Sequence, residues 1–116
     1  MNPPEETPLT WNEFTHVEMR VGTIISTEEF KEARNPAYKM TIDFGDYGLK
    51  KTSAQITILY NTEELIGKQV VAVINFPPKQ IGKIMSEVLI TGFPDKNGQV
   101  ILCTPDKRTP NGAKLY

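Results

Sequence analysis

The sequence predicts an all-β fold, a small barrel with short helices at its periphery. Three observations point there. Apolar residues alternate with polar ones over short runs, turn residues punctuate those runs, and no strand–helix–strand rhythm runs through the chain. A length of 116 residues supplies one core and not two.

The elements follow in order. Residues 1–8, rich in Pro and Glu, read as an extended, flexible N-terminal arm, so the folded domain is expected over 9–116. "LTWNEF" starts a helix: Thr10 is placed as N-cap, Glu13 completes a capping box, and Leu9 and Phe14 are spaced as a hydrophobic staple. The helix must be short, because Val17, Met19, Val21, Thr23 and Ile25 then recur at strand spacing. Gly22 inside that strand suits the sharp bend or close backbone approach a barrel needs. "YKMTIDF" alternates more cleanly, with Tyr38, Met40, Ile42 and Phe44 on one face and Lys39, Thr41 and Asp43 on the other. "GDYG" is a turn and "LKKTSAQI" a third strand. "NTEELIGK" gives one or two helical turns closed by Gly67. "QVVAVINF" is continuously apolar, which calls for burial on both faces or at an interface. "EVLITGF" and "QVILCTP" flank Asn97-Gly98 as a hairpin. Five or six short strands at this length fit a five-stranded Greek-key barrel of the OB type, with a β-sandwich as the rival.

Between the apolar runs stands "NFPPKQIGKIMSEVL", residues 75–89. Paired prolines, spaced lysines and a glycine do not suit a strand, so the stretch is expected to be a loop built for contact at the rim of the barrel. Pro77 and Pro78 would hold Lys79 in place, and Gly82 permits positive φ or close approach. Phe76 offers a ring on which a base could stack.

Charge is unevenly spread. Residues 1–30 hold six acids and one arginine, while residues 31–86 hold eight Lys/Arg against five acids. The overall net charge of −1 excludes a simple polycation, but the middle of the chain is basic. The lone Cys103 cannot form an internal disulfide, "MNPPEETP" lacks the apolar and basic parts of a signal peptide, and no run approaches the length of a membrane helix; a cytoplasmic protein without membrane insertion is expected.

Enzyme chemistry finds no footing. His16 is the only histidine and has no second ligand residue beside it, so no metal is expected. Ser53 and Ser86 lack a base or a nucleophile elbow, Asp43 and Asp46 sit where turns favour Asp, and no phosphate loop or cofactor motif is present.

The 75–89 stretch resembles the signature of the tRNA-binding domain family: Asn, an apolar residue, Pro, basic residues, Gly, then Ser-Glu. The resemblance extends over most of the chain through "VEMRVGTI", "EARNPAYKMTIDFG", "KKTSAQI" and "LIGKQVVAVINFPPK". Within the family, "SAQIT", "NFPPK", "SEVL" and "PNGAKL" look like the CsaA branch, small bacterial proteins described as export-related chaperones. The resemblance implies an OB-fold, a homodimer, and binding of tRNA or unfolded preproteins. By motif, RNA-contacting positions fall on Asn75, Lys79, Lys83, Ser86 and Glu87, with Ser53 and Gln55 on the same face. Many members carry a basic pair where this chain has Pro78-Lys79-Gln80, which weakens the phosphate term, and Val88-Leu89 in place of Gly-Met adds apolar surface.

Two functions are therefore weighed. In the first, Lys79, Lys83, Lys50, Lys51 and Arg34 meet phosphates of tRNA or another structured RNA, while Asn75, Ser86 and Gln55 bond exposed nucleotides. In the second, Phe76, Ile81, Ile84, Met85 and Phe93 line a groove for unfolded preproteins bound for the export machinery, with no RNA ligand. A homodimer is expected on the further ground that "QVVAVINF" and the "AKLY" tail carry more apolar surface than one barrel covers.

Overall fold

The computed structural model describes residues 7–116, so most of the arm expected over 1–8 lies outside the described residues. Helix α1 (Trp11–His16) is capped as its sequence requires: the Thr10 hydroxyl accepts from the Glu13 amide, and the Glu13 carboxylate accepts from the Thr10 amide. Nine strands follow. These are β1 (Met19–Glu29), β2 (Tyr38–Asp43), β3 (Leu49–Ala54), β4 (Gln69–Val73), β5 (Lys79–Ile81), β6 (Ile84–Ser86), β7 (Leu89–Ile90), β8 (Gly92–Pro94) and β9 (Val100–Leu102). A 3-10 turn at Gly45–Tyr47 joins β2 to β3, and helix α2 (Thr62–Leu65) joins β3 to β4.

The main sheet runs β3-β2-β1-β4-β7, antiparallel throughout. It closes where the chain approaching β7 returns to β3. There the Glu87 amide donates to the Lys51 carbonyl at 2.8 Å, and the Thr52 hydroxyl donates to the Val88 carbonyl at 2.9 Å. One nearly closed five-stranded sheet is the OB-type barrel and excludes the sandwich.

Strand β1 makes this closure possible. Its first half pairs with β4 and its second with β2, and a bulge between Ile24 and Ser26 bends it. Gly22 is the inner corner: a Cβ there would lie 2.6 Å from the Ile42 side chain. The core is made by Ile24, Met40, Ile42, Val70 and Ala72 from β1, β2 and β4, with Phe44 just past the end of β2. Leu65, fully buried, plugs one end. That burial contributes about 1.5–3 kcal/mol, which a four-residue helix could not gain from its own backbone.

The apolar set expected at strand spacing over Val17–Ile25, which β1 takes up only from Met19, is not the barrel interior. Gly22 and Ile24 face the core, whereas Met19 and Val21 lie on the outer face with Val71, beside Ala113 and Leu115 of the tail. The tail pairs with the free edge of β1: Gly112 donates to the Val21 carbonyl at 2.7 Å, Val21 to Ala113 at 3.0 Å, and Leu115 to Met19 at 2.8 Å. Buried Gln69 fixes its approach by bonding Thr109 and Asn111, and Arg20 donates to Gly112 while stacking on the Tyr47 ring.

Two expectations are settled by these elements. The β8–β9 hairpin forms around Asp95–Gly98, and β4 is buried along its whole length. The 75–89 stretch is different from its expected form: residues 79–86 are a β-hairpin, β5 against β6. Its two-residue loop is Gly82-Lys83, and Gly82 takes φ 57°, as a glycine-first hairpin loop requires.

Candidate nucleic-acid groove

Strict alternation turns the polar side chains of three strands onto one outer face. In register, Ser26 and Glu28 of β1 stand opposite Thr41 and Lys39 of β2, which stand opposite Lys51 and Ser53 of β3. Hairpin β5–β6 leans over this face. Ser86 lies 3.1 Å, hydroxyl to hydroxyl, from Thr52, and the hairpin loop rests on Phe30, since a Cβ on Gly82 would come within 2.9 Å of that ring. The result is a groove of about 270 Å³ with Ser26, Glu28, Lys39, Thr41 and Lys51 on its floor and Ile84 in its wall.

The groove is mixed in charge and biased positive. Lys39 reaches Glu28 at 3.5 Å and lies 5.4 Å from the centre of the Phe30 ring. Among the described residues the only ion pairs are Lys39–Glu28 and Arg20–Glu18, so Lys51, Lys79 and Lys83 pair with no described carboxylate. Lys79 stands opposite Ser86 at the start of β5, and Lys83 is in the hairpin loop.

The residues expected at an RNA site are only partly brought together. Lys51 and Ser53 share the outer face, and Lys79, Lys83 and Ser86 belong to the hairpin beside it. Glu87 uses its carboxylate to accept the Lys51 amide at 3.0 Å, tying the hairpin's root to β3. Gln55 is exposed just past β3, and Arg34 is exposed in the 31–37 loop beside a separate cleft of about 520 Å³. Lys50 stands opposite Ile42, on the other face of β3 from Lys51. Asn75 is away from the groove floor, with both ends of its amide engaged: it accepts from the Glu18 amide at 3.1 Å and donates to the His16 carbonyl at 2.6 Å. It latches the exit of α1 to the end of β4.

The apolar candidates are dispersed. Ile81 and Ile84 share one face of the hairpin and Met85 the other, Phe76 is exposed at its base, and Phe93 is opposite Ile101 in the β8–β9 hairpin. His16 uses its backbone here, Cys103 is half-buried, and no group of metal-ligating residues occurs among the described residues. Sequence reasoning missed Ser26, Glu28, Lys39 and Thr41. The signal was the polar half of "YKMTIDF", which names one strand's contribution but not its neighbours'.

A family model described as a putative tRNA binding domain matches residues 19–114. The chain belongs to the tRNA-binding domain family. A methionine--tRNA ligase of Methanothrix thermoacetophila is 32% identical over 111 residues, 96% of this chain and 16% of the ligase. The chain thus spans about one sixth of the length of the ligases it matches. Two solved structures resemble it along their whole length. The chaperone CsaA of Bacillus anthracis shares 47% identity at a TM-score of 0.88, covering 95% of this chain and 100% of that one. The CsaA chaperone protein of Picrophilus torridus shares 49% at 0.85, covering 94% and 100%. Family membership and the barrel therefore agree with the resemblance carried by "NFPPK" and "SEVL".

Proposed function

We propose that this protein binds tRNA or another structured RNA in the groove between β1–β3 and hairpin β5–β6. The observation that carries the reading is three lysines without described carboxylate partners, Lys51 on the polar floor and Lys79 and Lys83 on the hairpin beside it. Cations fix an RNA backbone, and Ser53, Ser86 and Gln55 supply neutral groups for exposed nucleotides. Asn75 and Glu87 act indirectly, holding α1 and the hairpin root in place. Arg34, on its separate cleft, adds an exposed cation outside the groove.

The protein acts in the cytoplasm as a homodimer. The tail supports the dimer rather than β4, which its own barrel already buries: Leu9, Trp11, Phe14 and Tyr116 surround an exposed apolar hollow of about 460 Å³. Sedimentation at micromolar concentration should give twice the 13.1 kDa of one chain; a single-chain mass would refute the dimer.

A second reading, peptide binding by an export-related chaperone, is supported by the exposed Phe76, Met85 and Phe93 and by the likeness to two CsaA chaperones. A salt titration separates the two. Three phosphate contacts give a log–log slope of about −2.1 to −2.7, so tRNA affinity should fall about 20- to 40-fold between 50 and 200 mM salt. Lys79→Ala should reduce that slope by about one unit. A tRNA affinity indifferent to salt and to Lys79→Ala would remove RNA from the groove. Binding of an unfolded preprotein that loses more from Phe76→Ala than from Lys79→Ala would then favour the chaperone.

A further inference from the structure

The groove carries its own anion. Glu28 is the single acidic residue on its floor, directly across the strand pair from Lys39 and 3.5 Å from its ammonium. The two partners are unequally held. The Lys39 side chain is only 26% exposed and packs towards Phe30, the same ring that seats the hairpin loop at Gly82. The Glu28 side chain is 72% exposed, so it can swing into solvent at little cost while the ammonium stays.

We propose that Glu28 is an intramolecular competitor for the phosphate that Lys39 would otherwise bind. With the groove free, the carboxylate occupies Lys39; an RNA phosphate entering beside Lys51 must displace it. The consequence is a floor with two cations of which RNA sees one and a fraction. Affinity is thereby held down and its fall with salt made shallower by up to one contact, which suits a protein that must release RNA as well as hold it. This rests on the reading of the groove as an RNA site.

The test is tRNA affinity as a function of salt for wild type, Glu28→Gln, Lys39→Met and the double variant, with Glu63→Gln of α2 as a control. That control removes the same charge from an exposed position outside the groove. Glu28→Gln should bind about 1.4- to 5-fold tighter, the span an exposed ion pair covers. Its salt slope should steepen by up to about 0.7–0.9, one added phosphate contact. Lys39→Met keeps the packed stem; it should cost little alone and abolish the gain in the double variant. An unchanged melting transition for each variant assigns the changes to the groove. If Glu28→Gln only matches Glu63→Gln, or the double variant retains the gain, the competitor is overturned while the RNA site stands. If wild-type binding shows no salt dependence, both fall together.

Discussion

Replacing Gly22 by Ala tests the reasoning that the barrel turns its corner on a missing side chain. The added methyl would sit 2.6 Å from Ile42 Cγ2 and 2.8 Å from two carbons of the Phe44 ring. Carbon pairs rest at about 3.5–4.0 Å, so the overlap is roughly 1 Å on two sides at once. Neither neighbour can retreat, because Ile42 and Phe44 are both 0% exposed. Overpacking of this kind costs about 1–3 kcal/mol, and two immobile walls place it in the upper part of that range. Alanine recovers about 0.5–1 kcal/mol of backbone entropy that glycine loses in a strand. The net loss is about 1–2 kcal/mol. Urea unfolding followed by circular dichroism should show a lower midpoint at an unchanged slope, because the surface exposed on unfolding is the same. A midpoint equal to or above that of wild type would refute the close-approach account of Gly22.

The Glu13 carboxyl is held below its ordinary value of 4.5 by the Thr10 amide and hydroxyl. A lowered folded value means the capping box stabilises α1 above that ordinary value and loses its contribution as pH falls through the folded one. Trp11, the only tryptophan, should report α1 fraying at a midpoint below 4.5; a midpoint at or above it, or one that survives Glu13→Gln, contradicts the cap. Gln69→Leu should cost about 1–3 kcal/mol by stranding Thr109 and Asn111, and should speed tryptic cleavage at Lys107 and Arg108; unchanged cleavage would mean the tail is held elsewhere. Asn75→Ala should lower the melting temperature together with RNA affinity, whereas Lys51→Ala should lower affinity alone. Equal stability for the two variants would return Asn75 to the ligand-binding role its motif suggests.

What was legible in the sequence is what short range determines. The capping box at Thr10–Glu13, the Asp95–Gly98 hairpin and the doubly buried β4 each depend on neighbours a few positions away or on one strand's composition. The hairpin at 79–86 was obscured by the prolines before it, although Ile81-Gly82-Lys83-Ile84 is a two-residue loop between apolar residues. The facing of β1 was illegible because a bulge after Ile24 and a tail some 90 residues away decide which side is covered. The groove floor was illegible for a similar reason: Glu28 meets Lys39, and Thr41 meets Lys51, only once strand register is set. Asn75 shows the opposite error, a residue whose motif suggests a ligand and whose amide is spent across 57 and 59 positions on the chain's own backbone.

The pairing of residues 112–115 with the first half of β1 orders events in time. β1 leaves the ribosome well before the tail, so its outer edge waits for partners such as Gly112, whose carbonyl takes the Arg20 guanidinium across 92 positions. Until those residues arrive, β1 presents the unpaired Val21 N–H and the unpaired Met19 and Val21 carbonyls beside apolar side chains, the form of edge that recruits foreign strands. Closing so long a loop is also slow, since its entropy must be lost before the contact rewards it. A version truncated before Pro110 should therefore aggregate although the five barrel strands are all present.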